Sequence, residues 1–102
     1  MICALTERRL RAGTFDQFRE AFMRPVRAGR MPAGWQRFNM LRSADDPNHV
    51  ICFGIFDGTA DDLRASSALV GYEEQQAAIA PYVESVGTDG FFEVVENLTP
   101  EG

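Results

Sequence analysis

The seven residues VICFGIF, Val50 to Phe56, are apolar at every position. Successive side chains of a strand point to opposite faces of its sheet. An antiparallel strand with helices on one side and water on the other therefore alternates apolar and polar residues. This segment does not alternate, and neither does MICAL at the N-terminus. Both faces of these strands must be covered. One layer of helices covers the first face. In a chain of 102 residues nothing remains for the second, so a second subunit is the simplest cover. A symmetric homodimer joined sheet to sheet is expected.

The rest of the chain supplies the helices and the remaining strands. Ile2 to Leu10 reads as a strand, broken by Gly13. Thr14, with Gln17 three residues on, offers a capping box. Phe15, Phe18 and Phe22 recur at helical spacing with Ala21, while Asp16, Arg19 and Glu20 take the wet face. This helix is expected from about Phe15 to Arg24, with Pro25 ending it. Trp35 to Ser43 and His49 to Asp57 read as two strands joined by the turn ADDPN, an antiparallel hairpin. Alternation places Trp35, Arg37, Asn39 and Leu41 on one face of the first of them. Thr59 is placed to cap a second helix with Asp61 and Asp62 in its first turn. Gly71 interrupts that helix, YEEQQAAIA restarts it, and Pro81 bends or restarts it. GTDG reads as a turn and Phe91 to Leu98 as the closing strand. The order β-α-β-β-α-β is an α+β, ferredoxin-like plan: a four-stranded antiparallel sheet with helices on one face, in a single domain spanning residues 1–102.

Composition narrows the function. A net charge of −5 argues against nucleic acid or an anionic membrane as a partner. No apolar stretch is long enough to span a bilayer. The N-terminus carries its charges after the apolar part, unlike a signal peptide, so a cytoplasmic location is expected. All ten basic residues are arginine, which rules out lysine Schiff-base chemistry. Cys3 and Cys52 lie inside apolar runs and read as buried free thiols. One histidine and two separated cysteines make no metal constellation. No glycine pattern for phosphate, no serine elbow and no anchor for flavin or nicotinamide is present. His49 could be a base, a ligand or a polar residue at a hairpin tip. The turn chemistry of Asp46, Pro47 and Asn48 favours the last.

At this point the sequence resembles the antibiotic-biosynthesis-monooxygenase family of dimeric α+β barrels. The resemblance is carried by MICALTERRLRAGTFDQFREAF, by PAGWQRFNMLRSADDPNHVICFGIFDGTADDLRAS with its P-x-G-aromatic lead into the hairpin, and by FFEVVENL. It covers nearly the whole chain in layout. It implies a homodimer with a pocket in each protomer between sheet and helices, binding a small apolar or aromatic ligand. Members include cofactor-independent oxygenases of aromatic polyketides, quinone-forming enzymes and haem-degrading enzymes. The haem branch uses an Asn in the first strand, a Trp in the second helix and a His near that helix's end. Here those places hold Thr6, no Trp, and Gln75 and Gln76, so haem degradation is not expected.

An oxygenase without a cofactor needs only to hold a phenol or enol, favour its anion and move a proton. Arg37 and Asn39, on the face assigned to Trp35, are the expected catalytic pair: a charge for the phenolate and a donor beside it. Thr6, Arg8, Trp35, Phe53, Phe56, Tyr72 and Gln76 are the expected pocket lining. The bland alternatives are a solvated strand edge for the polar residues and plain core for the aromatic ones. A non-catalytic dimer that binds a small ligand, or an auxiliary subunit, is the competing function. An isomerase or decarboxylase would need His49, Asp57 or a glutamate as its base.

Overall fold

A computed structural model describes residues 1–29, 33–67 and 72–100; the side chains of Ser66, Ser67 and Tyr72 lie outside the described part. Strand β1 (Ile2–Leu10) leads to helix α1 (Phe15–Arg27). The hairpin follows, with β2 (Trp35–Arg42) and β3 (His49–Phe56). Helices α2 (Ala60–Ser67) and α3 (Tyr72–Ile79), a 3₁₀ turn (Ala80–Tyr82) and β4 (Val83–Glu93) complete the chain. The sheet order is β2-β3-β1-β4, with every described pairing antiparallel. This is the ferredoxin-like plan read from the sequence.

The register defines two faces. Ile2, Ala4, Thr6, Arg8 and Leu10 alternate with Cys3, Leu5, Glu7 and Arg9 along β1. In β3 the buried set is Val50, Cys52, Gly54 and Phe56. These face the helices. Phe18 and Ala21 of α1 and Ile79 of α3 pack with Leu10, Val50 and Cys52 in one core cluster. Leu63 of α2 packs with Ile2 and Phe56 in a second. Among the described residues no helix covers the other face. Cys3, Leu5, Ile51, Phe53 and Ile55 line it, with Leu41 and Phe92 each 46% exposed.

Two local expectations change. Helix α1 runs through Pro25 to Arg27. Pro25 is buried, so its ring packs as core while one i→i−4 bond is lost. Gly29, at φ 68°, then ends the helix in the left-handed region, with its N–H on Val26 O. Thr14 forms no capping box: its hydroxyl donates to Arg11 O at 2.7 Å. A reciprocal box forms instead at α2. There Asp62 N donates to Thr59 Oγ1 at 3.1 Å and Thr59 N to Asp62 Oδ2 at 3.1 Å.

The last strand also differs. It begins at Val83, runs through GTDG and ends at Glu93. Its register with β1 shifts between Thr6 and Arg8, so GTDG is absorbed as a bulge. Glu7 fills that bulge. Its Oε1 accepts the Thr88 N–H at 3.2 Å and would stand 2.5 Å from a Cβ on residue 87, which is glycine.

Candidate active site

The bulge that matters most for the site lies in β2. Trp35 pairs with Phe56 and Arg37 with Ile55, so one extra residue sits between them. A residue added to one strand reverses the alternation beyond it. Trp35 therefore turns to the helix side while Arg37 and Asn39 face the other way. The ring contacts agree: Trp35 lies 4.8 Å from Phe38 and 5.4 Å from Phe56, centroid to centroid. The expected grouping of Arg37 and Asn39 with Trp35 is corrected by this bulge. Both are exposed on the uncovered face, in the row of Phe53 and Ile55. Phe53, expected in the pocket wall, shares that face and is half-buried.

The helix side collects the rest. Phe56, 5% exposed, belongs to the second core cluster. Thr6 lies opposite Cys52, and Arg8 opposite Val50. Arg8 is only 5% exposed. Its Nη2 donates to Gln76 Oε1 of α3 at 3.2 Å, and its guanidinium stands 5.9 Å from the Phe22 ring centre. Next to Gln76, Gln75 Nε2 donates to Phe22 O at 2.6 Å and ties α3 to α1. Tyr72 contributes backbone to α3, and its side chain lies outside the described residues.

Three polar atoms on this side are withdrawn from water and lack a hydrogen-bond partner: Thr6 Oγ1, Arg8 Nη1 and Trp35 Nε1. Buried polar atoms are nearly always paired, and each orphan costs about 1–3 kcal/mol. All three can donate: a hydroxyl, a guanidinium N–H and an indole N–H. The Cys52 thiol, close enough to feel the Arg8 charge, is no ionised acceptor. Burial pushes the Cys52 thiol up to about 12, although the Arg8 charge acts to lower it. Phe22, which packs on the first core cluster and stands beside Arg8, is not among the expected site residues. Its place in the Phe15, Phe18, Phe22 row was the available signal.

His49 stands apart, on the uncovered face. Its Nε2 is 2.7 Å from Glu7 Oε2. That contact and the Thr88 N–H hold the Glu7 carboxyl below its ordinary range. Beside it Arg9 bonds Asp46 of the DPN turn at 2.8 Å, and Asp46 Oδ1 accepts the Asn48 N–H at 3.0 Å. The histidine thus closes a hairpin and a bulge. Among the described residues no three His, Cys, Asp or Glu side chains cluster as a metal would require, and no helix is long and apolar enough to cross a membrane. An open groove of about 460 Å³ beside α1, lined by Asp16, Glu20, Arg24 and Tyr82 among others, contains none of the expected site residues.

No protein-family model and no curated protein matches the sequence. Solved structures do match, along the whole chain. SnoaB, a cofactor-independent oxygenase from Streptomyces nogalater, superposes with a TM-score of 0.77 at 21% identity, covering 97% of each chain. The chain has the fold of the antibiotic biosynthesis monooxygenases. A protein assigned to that group from Deinococcus radiodurans reaches a TM-score of 0.80 at 16% identity over 100% of both chains. Another, from Nitrosomonas europaea, gives 0.75 at 22% identity, over 94% of this chain and 100% of its own. On this monooxygenase fold the three unpartnered donors lie between sheet and helices. At these identities the likeness is one of fold.

Proposed function

We propose that the protein is a small cofactor-independent oxygenase. Its substrate is an oxygen-bearing aromatic or quinonoid metabolite held between the sheet and the helices. The observation that carries this reading is the set of three desolvated donors, Thr6 Oγ1, Arg8 Nη1 and Trp35 Nε1, with no protein acceptor. Such a lining suits a ligand that brings several acceptor oxygens on an apolar ring. The rings of Phe22 and Phe56 and the indole of Trp35 supply apolar walls around it. The likeness to SnoaB supports the reaction class.

In this reading a phenol or enol loses its proton on binding. The electron-rich anion reacts with O2, which places one oxygen atom on the ring and releases the other as water. Arg8 favours the anion by charge, in a site where low polarity strengthens that effect. Thr6 and Trp35 hold the remaining oxygens and fix the ring. Gln76, through its bond to Nη2, aims the guanidinium.

The active form is a homodimer closed through the uncovered sheet face. Its support is the row of Leu5, Ile51, Phe53 and Ile55, which an isolated protomer leaves facing water. Arg37 and Asn39 then belong to the dimer surface and not to the pocket interior.

Oxygen uptake with a panel of hydroquinones and anthrones tests the reading, with Arg8→Met beside the native chain. Uptake that depends on Arg8 is expected. No uptake above the protein-free rate with any member would leave a non-catalytic binding protein as the better account, and uptake unchanged in Arg8→Met would take Arg8 out of the reaction.

A further inference from the structure

Glu7 is held in place from three strands. In β1 it stands against two residues of β4, Gly87 and Thr88, where the register shifts. Its Oε1 accepts the Thr88 N–H at 3.2 Å, and its Oε2 lies 2.7 Å from His49 Nε2 of β3. The carboxyl fills the place of a side chain at residue 87. Gly87 has no positive φ, so space and not backbone geometry calls for glycine there. A glutamate fixed in this way cannot swing out to water when its surroundings dry. Around it, at the hairpin end of the uncovered face, lies a small charge cluster. Glu7 and Arg9 come from β1, His49 from β3 and Asp46 from the turn, with Arg9 bonded to Asp46 at 2.8 Å. Leu41 of β2 and Ser85 of β4, on the same face, carry no charge. Asp89 pairs with Thr6 and Arg42 with Val50, so both belong to the helix side, and Arg37 lies at the far end beside Ile55. Asp45 of the turn and Glu84, in the second register shift of β4, are exposed. Glu7 and Asp46 are both held below the ordinary carboxylate range, Glu7 first by its bond with His49 and Asp46 first by the Asn48 N–H. Two anions therefore face one cation at neutral pH. A proton on His49 balances them.

We propose that His49 is a proton-operated latch on self-association: closing the uncovered face against a second copy draws a proton onto its imidazole, so the dimer tightens as the medium turns mildly acid. This rests on the homodimer of the functional reading and adds its regulation; the interior site takes no part in it. The His49 and Glu7 side chains are 34% and 33% exposed, so in one protomer water still screens the unbalanced charge. Ile51 is the β3 partner of Glu7, and Leu5 stands two residues from it along β1. A second sheet laid on Leu5 and Ile51 removes that water. An uncompensated charge is costly to desolvate, and a matched, hydrogen-bonded pair is less so. Twofold symmetry brings both copies of Glu7 to one interface and doubles the effect. Association therefore binds protons. It weakens as pH rises through the range where an imidazole titrates, about pH 6–7. Below that range the gain is fully present until Glu7 itself is protonated.

Fluorescence-detected sedimentation over a dilution series tests this, at about pH 8 and about pH 6 and constant ionic strength, either side of the imidazole range. Circular dichroism at each pH confirms that the chain stays folded. Each proton taken up changes the dissociation constant by at most about tenfold per pH unit. With one proton per protomer, the native dimer should tighten by roughly tenfold to a hundredfold between these two conditions. His49→Gln keeps a donor for Glu7 and cannot take the proton. It should still dimerise, with an affinity that no longer depends on pH in this range. Glu7→Gln removes the anion that calls for the proton. At the higher pH it should associate at least as tightly as the native chain, and it should gain nothing at the lower. Tightening that persists in His49→Gln would overturn the inference, as would a native dimer that weakens on acidification. A native dimer of equal affinity at both pH values would overturn the latch and leave the dimer standing. A native chain that is monomeric throughout would retire the dimer, and the latch with it.

Discussion

Gly54 is the only residue of β3 without a side chain, and Trp35 occupies the space above it. A Cβ built there would stand 2.5 Å from Trp35 Cζ3, 2.9 Å from Cε3 and 3.0 Å from Phe38 Cδ1. Carbon atoms settle about 3.5–4.0 Å apart, so Gly54→Ala must move the indole by roughly 1 Å. Trp35 has little freedom to yield, because it is stacked on Phe38 at 4.8 Å and edge-on to Phe56 at 5.4 Å. Overpacking of this kind costs about 1–3 kcal/mol. Replacing glycine by alanine returns about 0.4–1 kcal/mol through the unfolded chain. The net loss is then about 1–2 kcal/mol, which in a domain of this size lowers the melting temperature by about 5–15 °C. Thermal unfolding followed by the emission of Trp35, the single tryptophan, measures both the loss and the displaced ring. A melting temperature that does not fall, with native emission unchanged, would refute the placement of the indole over Gly54.

Two further predictions concern the uncovered face. Phe53→Glu puts a charge into the middle of the apolar row and should convert the proposed dimer to a folded monomer in sedimentation at micromolar concentration; a native chain that sediments as a monomer, or a variant that stays dimeric, would contradict the proposed interface. The Glu7 carboxyl is held low, first by its bond with His49 and then by the Thr88 N–H. Its stabilisation is present above the ordinary glutamate range and is lost as pH falls through the lowered value. The native melting temperature should therefore drop on acidification through and below that range. Glu7→Gln should start lower at neutral pH and show a flatter acid limb, and parallel curves would count against the contact.

Much of the fold was legible because its signals were local or periodic. Phe15, Phe18 and Phe22 mark α1 by spacing, and DPN marks the hairpin by turn chemistry. The unbroken apolar run in β3 is the basis for expecting cover on both sheet faces. What escaped was register. Nothing local in WQR announces the extra residue between Trp35 and Arg37, since a bulge is decided by pairing with β3. That single shift separates Trp35 from Arg37 and Asn39 and so divides the expected site between two faces. GTDG misled for a related reason: glycines that suit a turn also suit a bulge, and here Glu7 fills the space. Pro25 failed as a stop signal because its burial against the core outweighed one lost hydrogen bond. Thr6, Arg8, Trp35, Phe56 and Gln76 were legible as candidates, and tertiary packing alone revealed that Arg8 lacks a counter-charge.

On the proposed reading the working site lies between sheet and helices and closes on Arg8. A crystal structure with 4-nitrophenolate bound tests it directly. The phenolate oxygen is expected within hydrogen-bond distance of Arg8 Nη1, with the ring against Phe22. A ligand bound instead on the opposite face, beside Arg37 and Asn39, would contradict it.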